Sequence, residues 1–200
     1  MTGADELISL IKKGEKNKAE KLLQEICMKT FCQEHAVALK KILLTEAAKK
    51  LNSEVPGFYC DEAALSRSMF SQNPPSGEEV IGMFCQSLRD ALREDNLRAF
   101  SKARAYIDGH LCDSQLSVGN AAEYAGISQS LMVKLFKENE AQTPGDYLGK
   151  KRVEKSLPLL DEGLSVSQAA LLTGFCACET YIRTFKKHMG VTPGEWKRNK

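Results

Sequence analysis

The C-terminal half of the chain contains a repeat that constrains its architecture more than any other feature. Residues Val118–Lys137 (VGNAAEYAGISQSLMVKLFK) and Ser165–Lys187 (SVSQAALLTGFCACETYIRTFKK) share one order: paired alanines, a glycine, and a stretch containing Phe-Lys. The glycines Gly126 and Gly174 lie 48 positions apart and the phenylalanines 49 apart, so the second copy has one extra residue after its glycine. A repeat at a fixed period indicates one supersecondary unit built twice.

The second copy carries the local signals of two short helices. Ser165 followed by Gln168 is a capping box, which covers two backbone N–H groups at a helix start. Gly174 breaks that helix where a left-handed residue is needed, and a second helix is predicted from about Cys178 to Lys187. Two short helices joined by a glycine-containing turn predict a helix-turn-helix. We place the two motifs at about residues 117–137 and 165–187.

Each copy is followed by a second tag, QTPGDY at Gln142–Tyr147 and VTPGEW at Val191–Trp196. Both tags predict a helix with Thr as N-cap, Pro at the first helical position and an acid two residues later. The first tag opens a connecting helix at about residues 143–160. Pro158 lies inside that helix, where it removes a backbone N–H donor and is expected to kink the helix.

The N-terminal half shows helical spacing of apolar residues and no convincing strand alternation. Asn52 is predicted to begin a break, Ser76 with Glu79 to form a capping box, and Asn96 to cap a separate helix over about 97–111. The whole chain is therefore predicted to be all-α, with an N-terminal helical segment (1–97) and a C-terminal domain (98–200). The other helices in this half are predicted at 4–13, 16–31, 34–51 and 61–71.

Charge and cysteine content narrow the function classes. Residues 1–97 hold 13 Lys and Arg against 15 Asp and Glu, whereas residues 98–200 hold 15 against 11. An acidic half followed by a basic half is typical of a regulatory segment joined to a nucleic-acid binder. Seven scattered cysteines favour reduced thiols and a cytoplasmic location. No membrane-spanning run or signal peptide is predicted.

The repeat and the residues that follow it resemble those of a known protein family. Residues from about 104 to 198 resemble the two-helix-turn-helix DNA-binding domain of the AraC/XylS family of bacterial transcription regulators. The resemblance rests on Gly174-Phe175, on RTFKK at Arg183–Lys187 and on GVTPGEWKR at Gly190–Arg198. The resemblance implies that this chain is a sequence-specific DNA-binding regulator. It would read two successive major grooves with the second helix of each motif.

Matching the family's motif residue by residue implies two sets of DNA-contacting side chains. The base-contacting set is Gln129, Ser130, Val133, Lys134, Ala177, Cys178, Glu179 and Arg183. The phosphate-contacting set is Ser117, Lys137, Ser165, Lys186, Lys187, Lys197 and Arg198. Arg183 is the strongest candidate because a guanidinium bonds guanine O6 and N7 in a bidentate manner. Val133 and Ser130 make the first recognition helix less polar than is usual in the family.

The resemblance also implies partners. Double-stranded promoter or operator DNA is the expected ligand, with RNA polymerase as a candidate protein partner and no cofactor. The N-terminal half resembles the helical stretch before the DNA-binding domain in members with large sensory portions, so the chain is expected to be part of something longer. Its helices are also candidates for homodimerisation. The strand-rich sugar pocket of some members has no counterpart here, and sugar binding is not expected.

Four alternatives to the DNA-binding interpretation are considered. The cluster Cys27, Cys32 and His35 is a weak metal-site candidate, because its spacing lies outside the usual zinc pairs. Cys176 and Cys178 suggest a thiol-redox-sensing regulator. An enzyme would need a nucleophilic Cys60 beside His35, and neither a catalytic triad nor a phosphate-binding loop is present, so we expect none. The last alternative is a helical interaction or sensor-docking module with weak DNA reading.

Overall fold

The all-α prediction is confirmed by a computed structural model that describes residues 3–29 and 33–198. Those residues form eleven α-helices and no β-strand. The chain divides into two compact units, Met1–Asp95 and Asn96–Lys200. Residues 30–31 of the predicted second helix, and Cys32 of the metal-site candidate, lie outside the described residues.

The first unit contains α1 to α4 and the start of α5. The bounds are α1 Gly3–Lys12, α2 Lys16–Met28, α3 Gln33–Glu54, α4 Glu62–Met69 and α5 Gly77–Gly109. Helix α1 packs against α2 and α3, and α3 packs against α4. Their apolar faces enclose a core in which Leu7, Leu44, Leu51 and Ile81 are fully buried. The spacing of these residues is the helical spacing that was expected from the sequence.

Helix α3 extends past the break predicted at Asn52. The Asn52 side chain bonds both backbone groups of Cys60, with Nδ2 2.8 Å from the carbonyl oxygen and Oδ1 2.9 Å from the amide nitrogen. An asparagine that finds such partners has no need to leave the helix to satisfy its amide. The helix therefore ends at Glu54 rather than before Asn52.

Helix α5 shows that the predicted cap at Asn96 is wrong. The helix runs without interruption from Gly77 to Gly109 and contains Asn96 in its interior. Asparagine costs less than about 1 kcal/mol in a helix interior, and the sequence around it holds no Gly or Pro. Apolar residues continue at helical spacing beyond it, through Phe100, Ala103 and Ile107, which are buried in the second unit. Burial on both sides of Asn96, up to Ala91 and again from Phe100, outweighs the local preference of one residue.

The second unit holds the rest of the helices. They are α6 Val118–Ala125, α7 Gln129–Glu140, α8 Pro144–Asp161, α9 Val166–Leu172, α10 Cys178–Met189 and α11 Pro193–Arg198. Two apolar cores form here, and α8 contributes to both. Its first half gives Tyr147 and Leu148 to the core around α6 and α7, and its second half gives Val153 and Leu160 to the core around α9 and α10.

Pro158 lies inside α8 without ending it. The helix continues to Asp161, and the Glu162 N–H donates to the Pro158 carbonyl at 2.9 Å. Pro158 is exposed and belongs to the last turn, so its ring and missing N–H affect the helix only near its end.

Candidate DNA-binding surface

The first helix-turn-helix consists of α6, a turn at Gly126 and α7. Ser117 and Asn120 cap α6 reciprocally, and Gly126 ends it with a φ of +72°. The Ser128 hydroxyl then caps α7 by accepting from the Leu131 N–H at 3.2 Å. On the inner side of α7, Met132, Leu135 and Phe136 are buried. The outer side carries the predicted base-contacting residues: Gln129, Ser130 and Lys134 are exposed, and Val133 is half-buried.

The second helix-turn-helix repeats this arrangement with α9, Gly174 and α10. The predicted capping box is confirmed, since the Gln168 N–H donates to the Ser165 hydroxyl and the Ser165 N–H donates to the Gln168 side chain. Gly174 has a φ of +83°, and Phe175 follows it into the core. Tyr181 and Phe185 are fully buried under α10.

The outer side of α10 carries the remaining base-contacting candidates. Ala177, Glu179 and Arg183 are exposed, and Cys178 is half-buried. The structure thus brings all eight candidates to the second helices of the two motifs or their caps. Thr180, which was the less certain candidate, is exposed on the same helix.

A buried arginine joins the two motifs. Arg152 of α8 donates from Nε to the Leu111 carbonyl at 2.8 Å and from Nη2 to the Asp113 carbonyl at 2.7 Å. Burial lowers the pKa of Arg152, but an arginine remains protonated at neutral pH. These charge-assisted bonds hold the segment before the first motif against the helix that supports the second. Sequence reasoning did not single out Arg152, because the carbonyls that it bonds lie about 40 residues away.

A second network, in which only Tyr147 is buried, supports the start of α8. The Tyr147 hydroxyl donates to the Asp108 carboxylate at 2.9 Å and accepts from Arg104 Nε at 3.1 Å. Arg104 also forms an ion pair with Glu140 at 3.1 Å. These bonds join α5, α7 and α8. Sequence reasoning had predicted neither Arg104 nor Asp108 to have a role.

A cleft of about 430 Å³ lies between the start of α8 and α10. Arg183, Thr180 and Thr184 of α10 line one wall of this cleft, and Asp146 and Arg152 of α8 belong to the other. The cleft is net positive, because Arg152, Arg183 and Lys187 line it together with a single carboxylate, that of Asp146. A positive cleft beside a recognition helix is suited to a phosphate backbone.

Lys187 and His188 at the end of α10 also line this cleft. The Lys187 ammonium pairs with the Asp146 carboxylate, and this bond together with that from Thr143 lowers the pKa of Asp146. Burial and the Lys187 charge lower the pKa of His188, whose Nε2 is buried without a hydrogen-bond partner among the described residues. His188 is therefore neutral at pH 7 and adds no charge to the cleft.

The phosphate-contacting candidates fall into three groups. Lys137, Lys186 and Arg198 are exposed at or near helix ends. Ser117 and Ser165 are the caps of α6 and α9. The others are engaged within the protein: Lys187 pairs with Asp146, and Lys197 Nζ donates to the Leu164 carbonyl at 2.7 Å and to the Gly163 carbonyl at 3.2 Å.

The thiols occupy separate environments. Cys176 Sγ lies 3.3 Å from the Ser114 carbonyl oxygen, and Cys178 Sγ lies 3.8 Å from the Ser167 hydroxyl. Burial raises the pKa of the Cys60 thiol, which keeps it protonated at neutral pH and makes it a poor nucleophile. Within residues 3–29 and 33–198, no group of three His, Cys, Asp or Glu side chains is arranged to hold a metal ion.

Comparison with known proteins gives matches to the second unit. The family described as "Helix-turn-helix domain" matches residues 121–199. The probable transcription factor PqrA of Proteus vulgaris is 31% identical over 85 residues, which cover 42% of this chain and 70% of that protein. The right origin-binding protein of Escherichia coli K12 is 32% identical over 95 residues, or 47% of this chain and 32% of that protein.

A solved structure is similar to the same region. The C-terminal domain of AraT, a response regulator from Geobacillus stearothermophilus, is 28% identical with a TM-score of 0.48, over 51% of this chain and 85% of that one. The chain thus spans most of one curated relative and about a third of another. No helix in the described part of the chain has the length and apolar character needed to cross a bilayer.

Proposed function

The chain belongs to the AraC/XylS family of DNA-binding transcription regulators, and we propose that its second unit reads promoter or operator DNA through two successive major grooves. Helices α7 and α10 would each enter one groove, since each has a buried inner face and an exposed outer face. The carrying observation is the presence of two such helices on one unit, both packed against α8. A single chain would then recognise a bipartite site.

Within this proposal the side chains divide into those that specify and those that anchor. Arg183 would bond a guanine edge, and Glu179 would accept from a cytosine amine while repelling phosphates. Gln129 and Lys134 would read the other groove, and Val133 would contact a thymine methyl group. The exposed cations Lys137, Lys186 and Arg198, with the backbone N–H groups beside Ser117 and Ser165, would contact phosphates. Lys187 and Lys197 would contact phosphates only after giving up their bonds to Asp146 and to the carbonyls of Gly163 and Leu164.

The test begins with selection of bound sequences from a random duplex library. The enriched duplex is then titrated with the wild-type chain and with Arg183→Ala at two salt concentrations. We expect a bipartite motif with half-sites about one helical turn apart, and a loss of about 1–3 kcal/mol for the variant, with relaxed preference at one base pair. Arg67→Ala, which removes an exposed arginine of the first unit, is the matched control and should bind like wild type.

The other outcomes separate the proposal from its rivals. A single enriched half-site would mean that α10 alone reads bases, with the apolar Val133 on α7 as the physical cause. No enriched motif at any salt concentration would overturn the proposal and favour a helical interaction module.

The wider biology follows as part of the same proposal. A DNA-bound regulator acts in the cytoplasm by recruiting or blocking RNA polymerase according to where its site lies. The helices of residues 1–97 would supply a regulatory or homodimerisation segment. Analytical ultracentrifugation of the chain with and without its duplex tests the homodimer, and a concentration-independent monomer would exclude it.

A further inference from the structure

A cavity of about 390 Å³ lies in the first unit, which contains none of the predicted DNA-contacting residues. Helix α4, the segment before it and the start of α5 enclose the cavity, and Pro75 closes part of it. Its apolar walls include Phe58 and Phe84, whose rings pack edge to face with centroids 6.0 Å apart. Tyr59 and Met83 line the same cavity and are largely exposed, with 76% and 60% of their surface accessible. A cavity of this size and lining is typical of sites for small organic molecules.

The charge around this cavity is negative. Asp61 is the only charged residue among those that line it. Its carboxylate caps α4 by accepting from the Ala64 N–H at 2.9 Å, and it lies on the surface. Burial raises the pKa of Cys60 in the cavity wall, and the carboxylates of Glu62 and Asp61 raise it further. The same field attracts a cation into the cavity and repels an anion.

Hydrogen bonding in the cavity wall points the same way. The Ser68 hydroxyl donates to the Leu65 carbonyl at 2.8 Å, and the Ser87 hydroxyl donates to the Tyr59 carbonyl at 3.2 Å. Each hydroxyl has a single proton, so both offer their oxygens as acceptors to anything in the cavity. Together with the Asp61 carboxylate, they match a ligand that carries N–H donors rather than acceptors.

We propose that this cavity binds a small aromatic ammonium compound, with its ring against the wall formed by Phe58 and Phe84 and its cationic nitrogen beside Asp61. Contact with these aromatic side chains removes the apolar surface of the ligand ring from water. The carboxylate and the serine oxygens accept from the ammonium group. An aromatic carboxylate of the same shape places like charges together and leaves the acceptors without donors. This site is independent of DNA binding by the second unit.

The test uses two probes that share a fused ring and differ in charge, 2-naphthylmethylammonium and 2-naphthoate. Each is titrated into the full chain by isothermal calorimetry, and the contact is located by methyl NMR shifts of Met83 and Leu65. We expect saturable one-to-one binding of the ammonium compound and binding about tenfold weaker, or none, for the carboxylate.

Two variants and one control locate the site. Asp61→Asn keeps a competent helix cap and removes the charge, so ammonium binding should weaken about three- to fivefold while the free energy of unfolding stays nearly constant. Ala64→Phe should fill the cavity and abolish binding, with circular dichroism to verify the fold. Glu25→Gln removes an exposed carboxylate elsewhere in the same unit and should bind like wild type.

Equal affinity for the two probes, or ammonium binding unaffected by Asp61→Asn, would overturn the proposal. Failure of the ammonium compound to saturate at millimolar concentration would overturn it as well. Should Ala64→Phe not fold, the comparison of Asp61→Asn with Glu25→Gln decides the question by itself.

Discussion

Gly126 and Gly174 hold the same place in the repeat and adopt similar left-handed conformations, with φ of +72° and +83°. Their surroundings differ. A β-carbon on Gly126 would meet no atom within 4 Å, whereas one on Gly174 would lie 2.5 Å from the Leu111 carbonyl oxygen and 2.9 Å from the Cys112 carbonyl carbon. At Gly126 only the left-handed backbone conformation favours glycine. At Gly174 the missing side chain also allows the backbone of Leu111 and Cys112 to approach.

This difference predicts unequal costs for the same substitution. Gly126→Ala should lower the free energy of unfolding by about 1 kcal/mol, the usual strain of a left-handed residue with a β-carbon. Gly174→Ala should cost about 3 kcal/mol or more, because the clash falls on rigid backbone and displaces the carbonyl that Arg152 bonds. Chemical denaturation of both variants measures the difference. Equal losses would show that the 111–113 segment moves aside without cost.

Residue-level prediction from the sequence succeeds where the determinants are local. The capping boxes at Ser76 and Ser165 are confirmed because each depends on two residues three positions apart. The break expected at Asn52 was wrong because its partner, Cys60, comes from the next segment. Arg152 could not be recognised for the same reason: its role depends on carbonyl groups that only the folded chain brings near.

Helix α10 begins without the side-chain cap that its counterpart has. Ser128 caps α7, whereas Ala177 stands at the N-cap of α10 with extended dihedrals of −137° and 136° and no side-chain hydrogen bond. Its backbone already has the conformation that a capping serine adopts. The absence leaves N–H groups at the start of α10 available to solvent or to a phosphate.

Ala177→Ser should therefore stabilise the second unit by about 0.5–2 kcal/mol, which raises its thermal midpoint. Ser128→Ala is the reciprocal control and should cost a similar amount. If the N–H groups at the start of α10 contact phosphate, the new hydroxyl competes with that contact and DNA affinity falls as stability rises. An Ala177→Ser variant that melts like wild type would mean that the start of α10 is held by other contacts.

Helices were predicted correctly from the sequence where the spacing of apolar residues and the capping residues indicate the same bounds. Both helix-turn-helix motifs follow the expected order of helix, glycine turn and helix. The interruption at Asn96 was wrong because α5 has buried residues on both sides of it, up to Ala91 and again from Phe100. Pro158 was expected to disturb α8, and the helix continues through it to Asp161. The preference of Asn96, about 1 kcal/mol or less, is outweighed by packing on both sides of it, whereas Pro158 is tolerated because it lies in the last turn of α8.

At the scale of the molecule, the net charge of +2 conceals an uneven distribution of basic residues over the chain. Lys186 is exposed at the end of α10, whereas the Lys197 ammonium donates to two carbonyl groups that follow α8. Binding to duplex DNA releases counterions in proportion to the phosphates that are neutralised. Only lysine and arginine side chains that reach a phosphate contribute to this counterion release.

Lys186→Ala should reduce the slope of log affinity against log salt concentration by about 1 and weaken binding to all sequences alike. Lys197→Ala should change the slope less and instead lower the free energy of unfolding by about 1 kcal/mol, because it removes two bonds to helix-end carbonyls. Affinity titrations on one duplex between 50 and 200 mM salt, about the range over which the effect is large, measure both slopes. A larger slope change for Lys197→Ala than for Lys186→Ala would reverse these roles.

The role of α8 in both cores limits how this repeat can diverge. A duplicated motif ordinarily leaves each copy free to be lost, replaced or exchanged. Here Tyr147 belongs to one core and Val153 to the other, with Arg152 bonding back to the segment before the first motif. Deleting either copy would leave half of α8 without its partner surface. Inherited changes can therefore alter the exposed residues of α7 and α10 separately, but the two copies must be kept or lost as a pair.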